Sequence, residues 1–293
     1  MSRLSSVVFI AVWGESINNV DSMKRLMGQI DSVFLTLTRF HNPLIILMTR
    51  LGALQIPYFI FRFNTAKKPT AMLGRPTTTS LADLFVIKEV FIHETYKDIL
   101  PLLAEGGVRF VDIGANLGSF SIWLAQQRHV VSSYCFEPEP DSFRLLGFNL
   151  SLNSCDGVMP IHAAVGGTER EISIQLKSSS PGGTSIYSNG CSDAGQHPDR
   201  TGIKVVAFSQ WLNEVATPFD LLKLDCEGAE WEIVRACGHI IGERFKVVVA
   251  EIHDDPDKES AVDAFPTLME KHGFSTLRWD GKSQGLYIGK RVS

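Results

Sequence analysis

From residue 81 onwards, short apolar runs alternate with stretches in which apolar residues recur three and four positions apart. A short apolar run predicts a buried strand, and the three- and four-residue spacing predicts a helix that buries one face. Four of five such runs lead into a helical stretch, and the third leads into a polar region; in order they are RFVDIGA, SSYCFEP, VMPIHAAV, DLLKLD and FKVVVAEIH. This alternation predicts an α/β fold built on a mostly parallel sheet.

Two further features modify the predicted sheet. The last apolar runs, FSTLRW and GLYIGKR, are joined by the turn-forming stretch DGKSQG and predict a hairpin, which reverses one strand near the sheet edge. Residues 166–204 form an insertion whose central part is rich in glycine and serine, too polar for the core and long enough to act as a lid. We therefore predict a Rossmann-like domain over residues 81–293 that contains this insertion.

The first 80 residues predict an N-terminal helical extension with a small hairpin. Apolar residues at helical spacing indicate an amphipathic helix over residues 20–37, and Asn42-Pro43 indicates the start of a second helix that ends before Pro57. The runs PYFIFRFN and TAMLGR predict the hairpin. Neither helix can bury its apolar face alone, so we expect that face to pack on the same chain or on a second copy in a homo-oligomer.

The amino-acid composition indicates which binding partners and which cellular compartment to expect. The 44% hydrophobic and 20% charged residues are typical of a folded soluble protein, and the net charge of −4 gives no electrostatic reason to expect nucleic acid. The five cysteines are scattered without a C-x-x-C pair, which favours a reducing, cytoplasmic setting. Arg50 and Pro57 interrupt the apolar stretch 43–61 before the ~20 residues that a membrane span needs, which leaves peripheral membrane contact open.

The stretch RFVDIGANLG, residues 109–118, combines a strand, a glycine turn and the start of a helix. Gly114 and Gly118 let the main chain approach a ligand closely. A dinucleotide fingerprint needs its second glycine where this chain has Asn116, which disfavours NAD and FAD. Asp112 precedes the turn, and Glu137 ends the next strand, where a carboxylate can accept hydrogen bonds from both hydroxyls of a ribose. Such an acidic pocket suits the positively charged cofactor S-adenosylmethionine.

The stretch LLKLDCEGAEWEIV places further charged groups at the end of the fourth core strand. Lys223, Asp225, Glu227 and Glu230 surround a glycine at the carboxyl end of this strand, where ligands bind in open α/β sheets. Charged groups beside a buried strand are costly without partners or a chemical task. The alternative for Glu227 and Glu230 is structural, because the helix dipole stabilises a carboxylate near a helix N-terminus.

With DIGANLGSFS, FEPEP, LLKLDCEGAE and VAEIH in this order, the sequence resembles the FkbM family of S-adenosylmethionine-dependent methyltransferases over residues 81–291. The resemblance implies a Rossmann-like class I methyltransferase fold. It also implies an O-methyltransferase whose acceptor is a hydroxyl of a sugar, polysaccharide or secondary metabolite. Along the cofactor, from its methionine end through the ribose to the adenine, the implied contacts are Asp112, Gly114, Ala115, Asn116 and Gly118, then Glu137, then Ala163 and Asp156.

An alcohol acceptor needs a group that removes or polarises its proton. The candidates at the ends of the fourth and fifth strands are Asp225, Glu227, Glu251 and His253. We favour Asp225 or His253 as the base, with Lys223 holding Asp225 ionised from the same face of the strand. A metal-assisted variant would combine Asp225 and Glu251 with His253 or Asp254. No compact ligand spacing supports it, so we expect no metal.

Two other functions stay open from the sequence. The chain could be a cofactor-binding or scaffold subunit without turnover, in which the strand-end acids serve as helix caps and ion pairs. It could also be a nicotinamide-dependent oxidoreductase, against which the missing second glycine of the fingerprint argues.

Overall fold

A computed structural model gives the fold and describes residues 39–41, 46, 58–65, 68–75, 82–175, 200–215, 217–257, 261–281 and 285–292. The chain divides into two compact units, residues 1–85 and 86–293. The strands are β1 (Phe59–Asn64), β2 (Pro69–Gly74), β3 (Phe110–Ile113), β4 (Ser133–Phe136), β5 (Val158–Ile161), β6 (Ala164–Gly166), β7 (Arg170–Gln175), β8 (Arg200–Ala207), β9 (Phe219–Leu224), β10 (Phe245–Ile252), β11 (Phe274–Trp279) and β12 (Gly285–Arg291). The helices are α1 (Ala82–Phe91), α2 (Ser119–Gln127), α3 (Pro140–Leu152), α4 (Phe208–Glu214), α5 (Ala229–Arg244) and α6 (Phe265–Lys271), with 3-10 turns at Lys97–Leu102 and Val262–Ala264.

The first unit contains the hairpin predicted from the sequence. Strands β1 and β2 pair antiparallel, and the side chains of Phe61, Phe63 and Met72 are fully buried. Phe40 packs edge-on against Phe63 with the ring centroids 5.4 Å apart. The helix predicted over residues 20–37, and all but residue 46 of the helix predicted between residues 42 and 57, lie outside the described residues.

A seven-stranded sheet forms the centre of the second unit. Its strand order is β11-β12-β10-β9-β3-β4-β5. Strands β3, β4, β5, β9 and β10 run parallel, and β12 runs antiparallel to both of its neighbours, which confirms the predicted parallel sheet with a reversed strand near its edge. The chain moves outward from β3 to β5 and then returns to β9 on the other side of β3. In such sheets the strand order changes direction at the place where ligands bind.

A second, three-stranded sheet in the order β6-β8-β7 corrects the prediction for residues 158–204. The run VMPIHAAV was expected to form one strand, but it forms β5 in the central sheet and β6 in the small one, where β6 pairs parallel with the end of β8. The insertion predicted over residues 166–204 begins and ends in strands, because β7 pairs antiparallel with β8. Its glycine- and serine-rich centre, residues 176–199, lies outside the described residues.

Strands β9 and β10 are adjacent near the centre of the sheet. All six residues of β9 are buried, and Phe219 at its start stacks on Phe245 at the start of β10 with the ring centroids 5.2 Å apart. This contact aligns the amino ends of the two strands. Their last paired residues are Leu224 and Ala250, and β10 continues for two residues beyond that pair. Among the described helices, none is long and apolar enough to cross a membrane.

Candidate active site

The turn between β3 and α2 is shaped by residues with positive φ angles. Gly114 has a φ of +80°, and a Cβ atom there would lie 1.8 Å from the carbonyl oxygen of Asp225, so only glycine fits beside the end of β9. Gly118 has a φ of +90° and directly precedes α2. Asn116 has a φ of +51°, in the left-handed region that asparagine tolerates better than most residues. The glycine turn predicted from the sequence is therefore present, with its path fixed by the backbone of β9.

Hydrogen bonds from neighbouring elements hold this turn in place. The N–H groups of Gly114 and Ala115 donate to the carbonyl oxygen of Phe136, at 3.1 and 2.9 Å. The buried side chain of Asn149, in α3, donates from Nδ2 to the carbonyl oxygen of Leu117 at 2.9 Å. The turn is thus attached to β4 on one side and to α3 on the other, which limits its movement before any ligand binds.

Glu137 lies directly after β4 with its carboxylate held by two backbone groups. Its Oε2 atom accepts a hydrogen bond from the N–H of Asn116 at 2.8 Å, and its Oε1 atom accepts one from the N–H of Glu139 at 2.8 Å. Burial raises the pKa of Glu137 to about 7, although these two N–H groups lower it. Each carboxylate oxygen has a second lone pair, so the group can still accept hydrogen bonds from two hydroxyls.

Two buried polar atoms of the glycine turn and of the helix that follows it have no hydrogen-bond partner among the described residues. They are Oδ1 of Asn116 and Oγ of Ser119, the latter at the first position of α2. Buried polar atoms are normally hydrogen-bonded, and an unpaired one marks a place where a ligand or water completes the pairing. The N–H of Asn116 bonds to Glu137, so the unpaired Oδ1 of the same residue is a second polar group that a ligand at the turn can use.

Lys223 ties the glycine turn to the end of β9. Its Nζ atom donates to the carbonyl oxygen of Gly114 at 3.0 Å and lies 3.2 Å from Asp112 Oδ1 and 3.1 Å from Asp225 Oδ2. Burial alone would lower the pKa of Lys223, but Asp112 and Asp225 raise it well above its usual range. The predicted Lys223–Asp225 contact is present, and it occupies one oxygen of the Asp225 carboxylate.

Asp112 has a different place from the one expected for it. Its side chain is fully buried under the turn, where Ser121 donates a hydrogen bond to Oδ2 at 2.7 Å and Lys223 faces Oδ1. Burial raises the pKa of Asp112, and Lys223 counteracts that shift. Because its side chain has no exposed surface, Asp112 does not form the expected direct contact with the methionine end of a cofactor. It holds Lys223 and Ser121, which flank the turn.

The turn after β9 is organised by a fully buried carboxylate. Glu230 accepts hydrogen bonds from the N–H groups of Cys226 and Gly228, at 2.6 and 2.8 Å, and so supports the turn that leads into α5. The structure therefore supports the role of Glu230 as a carboxylate that holds the N-terminus of α5. Burial raises the pKa of the neighbouring Glu227, and His253 counteracts this shift.

His253 lies between these two glutamates. Its Nδ1 atom is 3.3 Å from Glu230 Oε1, and its Nε2 atom is 3.6 Å from Glu227 Oε2. Burial by itself lowers the pKa of His253, but the hydrogen bond and charge of Glu230 outweigh it and raise the pKa to about 9. An imidazole that is protonated at neutral pH cannot accept another proton. This geometry argues against the expected role of His253 as the base.

Ala163 and Asp156, the two residues expected beside the adenine, lie at opposite ends of strand β5. Ala163 is buried just beyond the carboxyl end of β5, on the same edge as Glu137, and the adjacent His162 ring stacks on Phe143 with 4.6 Å between ring centroids. Asp156 is exposed and precedes β5, next to the start of β4, since the N–H of Ser133 bonds to the carbonyl of Gly157. Asp156 is therefore not at the place expected for a contact with adenine. In parallel strands the amino end of β5, which Asp156 precedes, lies at the opposite end from Glu137.

Two side chains near the strand ends were not found by the sequence analysis. Glu89 in α1 and Tyr96 before the first 3-10 turn lie within electrostatic range of Asp225, Lys223 and Glu251. Burial raises the pKa values of both Glu89 and Tyr96. No motif in the sequence connects residues 89 and 96 with strands more than 120 positions later, so only the fold shows this proximity.

Among the described residues, no group of three or more histidine, cysteine, aspartate or glutamate side chains is arranged to hold a metal ion. Burial raises the pKa values of the thiols of Cys135, Cys226 and Cys237, which keeps them protonated.

Comparison with known proteins gives a consistent set of relatives. The Methyltransferase FkbM domain family matches residues 112–276. Methyltransferase 1 of Beauveria bassiana is 25% identical over 206 residues, which are 65% of this chain and 80% of that protein. The 31-O-demethyl-FK506 methyltransferase FkbM of Streptomyces tacrolimicus is 23% identical over 243 residues, which are 71% of this chain and 86% of that protein. The crystal structure of a methyltransferase FkbM from Methylobacillus flagellatus has a TM-score of 0.45 at 14% identity and covers 72% of this chain and 54% of that one.

Proposed function

The chain belongs to the family of Methyltransferase FkbM domains, and we propose that it transfers a methyl group from S-adenosylmethionine to a hydroxyl group of a sugar, polysaccharide or secondary metabolite. The family match establishes a methyltransferase, and the use of S-adenosylmethionine is what this family implies. The relative from Streptomyces tacrolimicus is named for methylation at an oxygen, which supports a hydroxyl as the acceptor group.

The observation that carries the proposal is the position of Glu137 beside the glycine turn. A buried carboxylate at the end of the second parallel strand, with one lone pair left on each oxygen, matches the two hydroxyls of a ribose. The unpaired Oδ1 of Asn116, on the turn, and Oγ of Ser119, at the start of α2, offer further polar contacts. These residues fit a nucleoside that carries a polar, phosphate-free tail.

In the proposed reaction the protein aligns the acceptor oxygen, the methyl carbon and the sulfur, and it removes one proton from the acceptor hydroxyl. When bound, S-adenosylmethionine supplies an electrophilic methyl group with a good leaving group, so alignment is the main contribution of the enzyme. Lys223 fixes the carbonyl of Gly114 and the carboxylate of Asp225 relative to one another. Glu137 would hold the ribose, and the buried Ala163 would lie against the adenine. The acceptor hydroxyl then requires a base from the ends of β9 and β10.

Calorimetric titration of the full chain with S-adenosylhomocysteine, with NAD⁺ as the comparison ligand, tests the cofactor. We expect micromolar binding of S-adenosylhomocysteine and no heat from NAD⁺. Incubation with methyl-labelled S-adenosylmethionine and a panel of hydroxylated sugars and polyketides then tests the reaction, with label expected in a product whose oxygen is methylated. Binding of NAD⁺ instead, or label transfer only to amines, would contradict the proposal.

A further inference from the structure

Four acidic side chains lie on β10 or between the end of β9 and the first turn of α5, and three of them already have partners. Asp225 is paired with Lys223, Glu227 lies beside His253, and Glu230 is occupied by two backbone N–H groups. The fourth, Glu251, forms no hydrogen bond or ion pair through its side chain with any residue that the structure describes. It is half-buried, so solvent does not fully compensate for the missing partner.

The strand register places Glu251 next to Asp225. Strands β9 and β10 run parallel with Leu224 opposite Ala250, so Asp225 and Glu251 follow as neighbours at the carboxyl edge. The same register puts Lys223 opposite both Asp112 and Val249, and residues two positions further along a strand point to the same face. Glu251 thus lies on the sheet face that carries the Lys223 ion pairs, two strands away from the glycine turn.

Tyr96 provides an independent indication that a ligand binds at this place. Its side chain is 3% exposed, and its hydroxyl forms no hydrogen bond with any described residue. Phe120 packs edge-on against the Tyr96 ring at 4.9 Å, and Trp123 packs beside it at 6.4 Å. A buried phenol normally has a hydrogen-bond partner. The charge that acts most strongly on this hydroxyl is that of Lys223, followed by those of Asp225, Glu251 and Glu89. The hydroxyl therefore lies near Lys223 and near these three carboxylates, which we call the acidic cluster.

We propose that Glu251 is the catalytic base, and that Glu89 and Tyr96 are positioning residues which, beside Asp225, complete the subsite for the acceptor hydroxyl. This inference rests on the proposed function. In the step, the bond between the acceptor oxygen and the methyl carbon forms while the bond between that carbon and sulfur breaks. The sulfur keeps the electron pair, and the acceptor proton moves to a carboxylate oxygen of Glu251. Tyr96 donates its hydroxyl proton in a hydrogen bond to the acceptor oxygen or to Glu251.

The charges around Glu251 suit a base that works near neutral pH. Asp225 after β9 and Glu89 in α1 act on it as like charges, and His253 directly after β10 and Lys223 on β9 oppose them. Burial, followed by these two carboxylates, raises the pKa of Glu251 to about 8. A base with a pKa near the working pH combines a usable ionised fraction with a strong pull on the proton. The reaction rate should therefore rise with pH up to about 8.

Sinefungin tests the position of Glu251 without knowledge of the acceptor. In this analogue a carbon that bears a protonated amine replaces the methylated sulfonium. The positively charged amine therefore occupies the position of the methyl group that is transferred. We expect sinefungin to bind about tenfold tighter than S-adenosylhomocysteine, which corresponds to ~1.4 kcal/mol, through its contact with the acidic cluster. The substitutions Glu251→Gln and Glu89→Gln should remove most of this preference and leave the affinity for S-adenosylhomocysteine within about twofold.

Proton counting gives a second readout from the same titrations. Because the ammonium group favours the ionised form of Glu251, sinefungin should release more protons at pH 7 than S-adenosylhomocysteine does, as measured in buffers of different ionisation enthalpy. The difference should vanish in Glu251→Gln. Glu214→Gln, at the exposed end of α4, is the matched control and should retain both the preference and the proton release.

Kinetic measurements distinguish a catalytic base from a carboxylate that only contributes its charge. In the labelled-methyl assay, Glu251→Gln should lower kcat by about a hundredfold, leave KM for S-adenosylmethionine unchanged and abolish the rise in rate towards pH 8. If S-adenosylhomocysteine binds but Glu251→Gln keeps the sinefungin preference and kcat, the inference is wrong and the proposed function stands. If neither ligand binds to the folded protein, the proposed function itself fails.

Discussion

Lys223 and Asp112 form an ion pair between the two central strands, with Nζ 3.2 Å from Oδ1 and almost no exposure of either side chain. The pair lies directly beneath the glycine turn, because the same ammonium group donates to the carbonyl of Gly114. The stability of the core and the shape of the glycine turn therefore depend on one lysine. An ion pair at this depth is maintained by its geometry, since removal of either partner leaves an uncompensated charge.

Replacement of this lysine should be strongly destabilising. Lys223→Met leaves the buried Asp112 and the nearby Asp225 without their cation and should lower the free energy of unfolding by about 3–5 kcal/mol. Urea denaturation measures the loss. The matched control is Lys246→Met, which removes another strand lysine that pairs with Asp220 at 2.7 Å but is 59% exposed, and it should cost less than ~1 kcal/mol. Equal losses in the two variants would contradict this description of the core.

The glycine turn gives a test in which the change is a single methyl group. Gly114→Ala places a Cβ atom 1.8 Å from the carbonyl oxygen of Asp225 at a residue with a φ of +80°, so β9 or the turn must shift. We expect a loss of at least ~3 kcal/mol in stability and loss of S-adenosylhomocysteine binding. Gly147→Ala, inside α3 with no atom near the added Cβ, should instead be neutral or stabilise by about 0.5–1 kcal/mol. A Gly114→Ala protein that is stable and binds normally would disprove the close approach.

The His253 imidazole should titrate far above its usual range. Its pKa of about 9 exceeds the ordinary value of 6.5, so the stabilisation from its contacts with Glu230 and Glu227 is complete below pH 6.5 and is lost as the pH rises through about 9. An NMR titration of the ring should show a midpoint near 9, and Glu230→Gln should move it down. A midpoint near 6.5 in the unsubstituted protein would restore His253 as a candidate base.

The strand and helix pattern of the second unit could be predicted from local sequence, whereas the positions of several site residues could not. The runs that form β3, β4, β9 and β10 are apolar and short, and a helix with one apolar face follows each of them, so the pattern alone specifies the parallel sheet. The small sheet was missed because β6 pairs with β8, which is some 40 residues away in the chain, and no local signal shows which sheet a strand joins.

Local sequence is a poor guide to two contacts at the site for the same reason. Asp156 is adjacent to β5 in the sequence, but it precedes the strand and so lies at the opposite end of the parallel strands from Glu137. Glu230 contacts the His253 ring from 23 positions away in the chain, which nothing in the surrounding sequence shows. Glu137 and Gly114 lie where the sequence places them, because each directly follows a strand and so lies at the carboxyl ends of the parallel strands.

Cofactor binding should depend on pH through Glu137. Ribose hydroxyls donate hydrogen bonds to the ionised carboxylate, whose pKa is about 7 because the group is buried. The affinity for S-adenosylhomocysteine should therefore be constant above pH 8 and fall by about tenfold per pH unit well below pH 7. Titrations from pH 5.5 to 8.5 measure this dependence. In Glu137→Gln the slope should disappear, and a slope that persists there would assign the titration to another group.

The central claim is tested most directly by titration of S-adenosylhomocysteine into the unsubstituted protein and into Glu137→Ala at pH 8. We predict micromolar binding that the substitution weakens by ~1–3 kcal/mol, the range for loss of a charged hydrogen-bond acceptor. Glu139→Ala is the companion control, because Glu139 caps α3 and should affect stability more than affinity. Equal affinity for the unsubstituted protein and folded Glu137→Ala, or no binding to either, would contradict the assignment of this edge of the sheet as a site for S-adenosylmethionine.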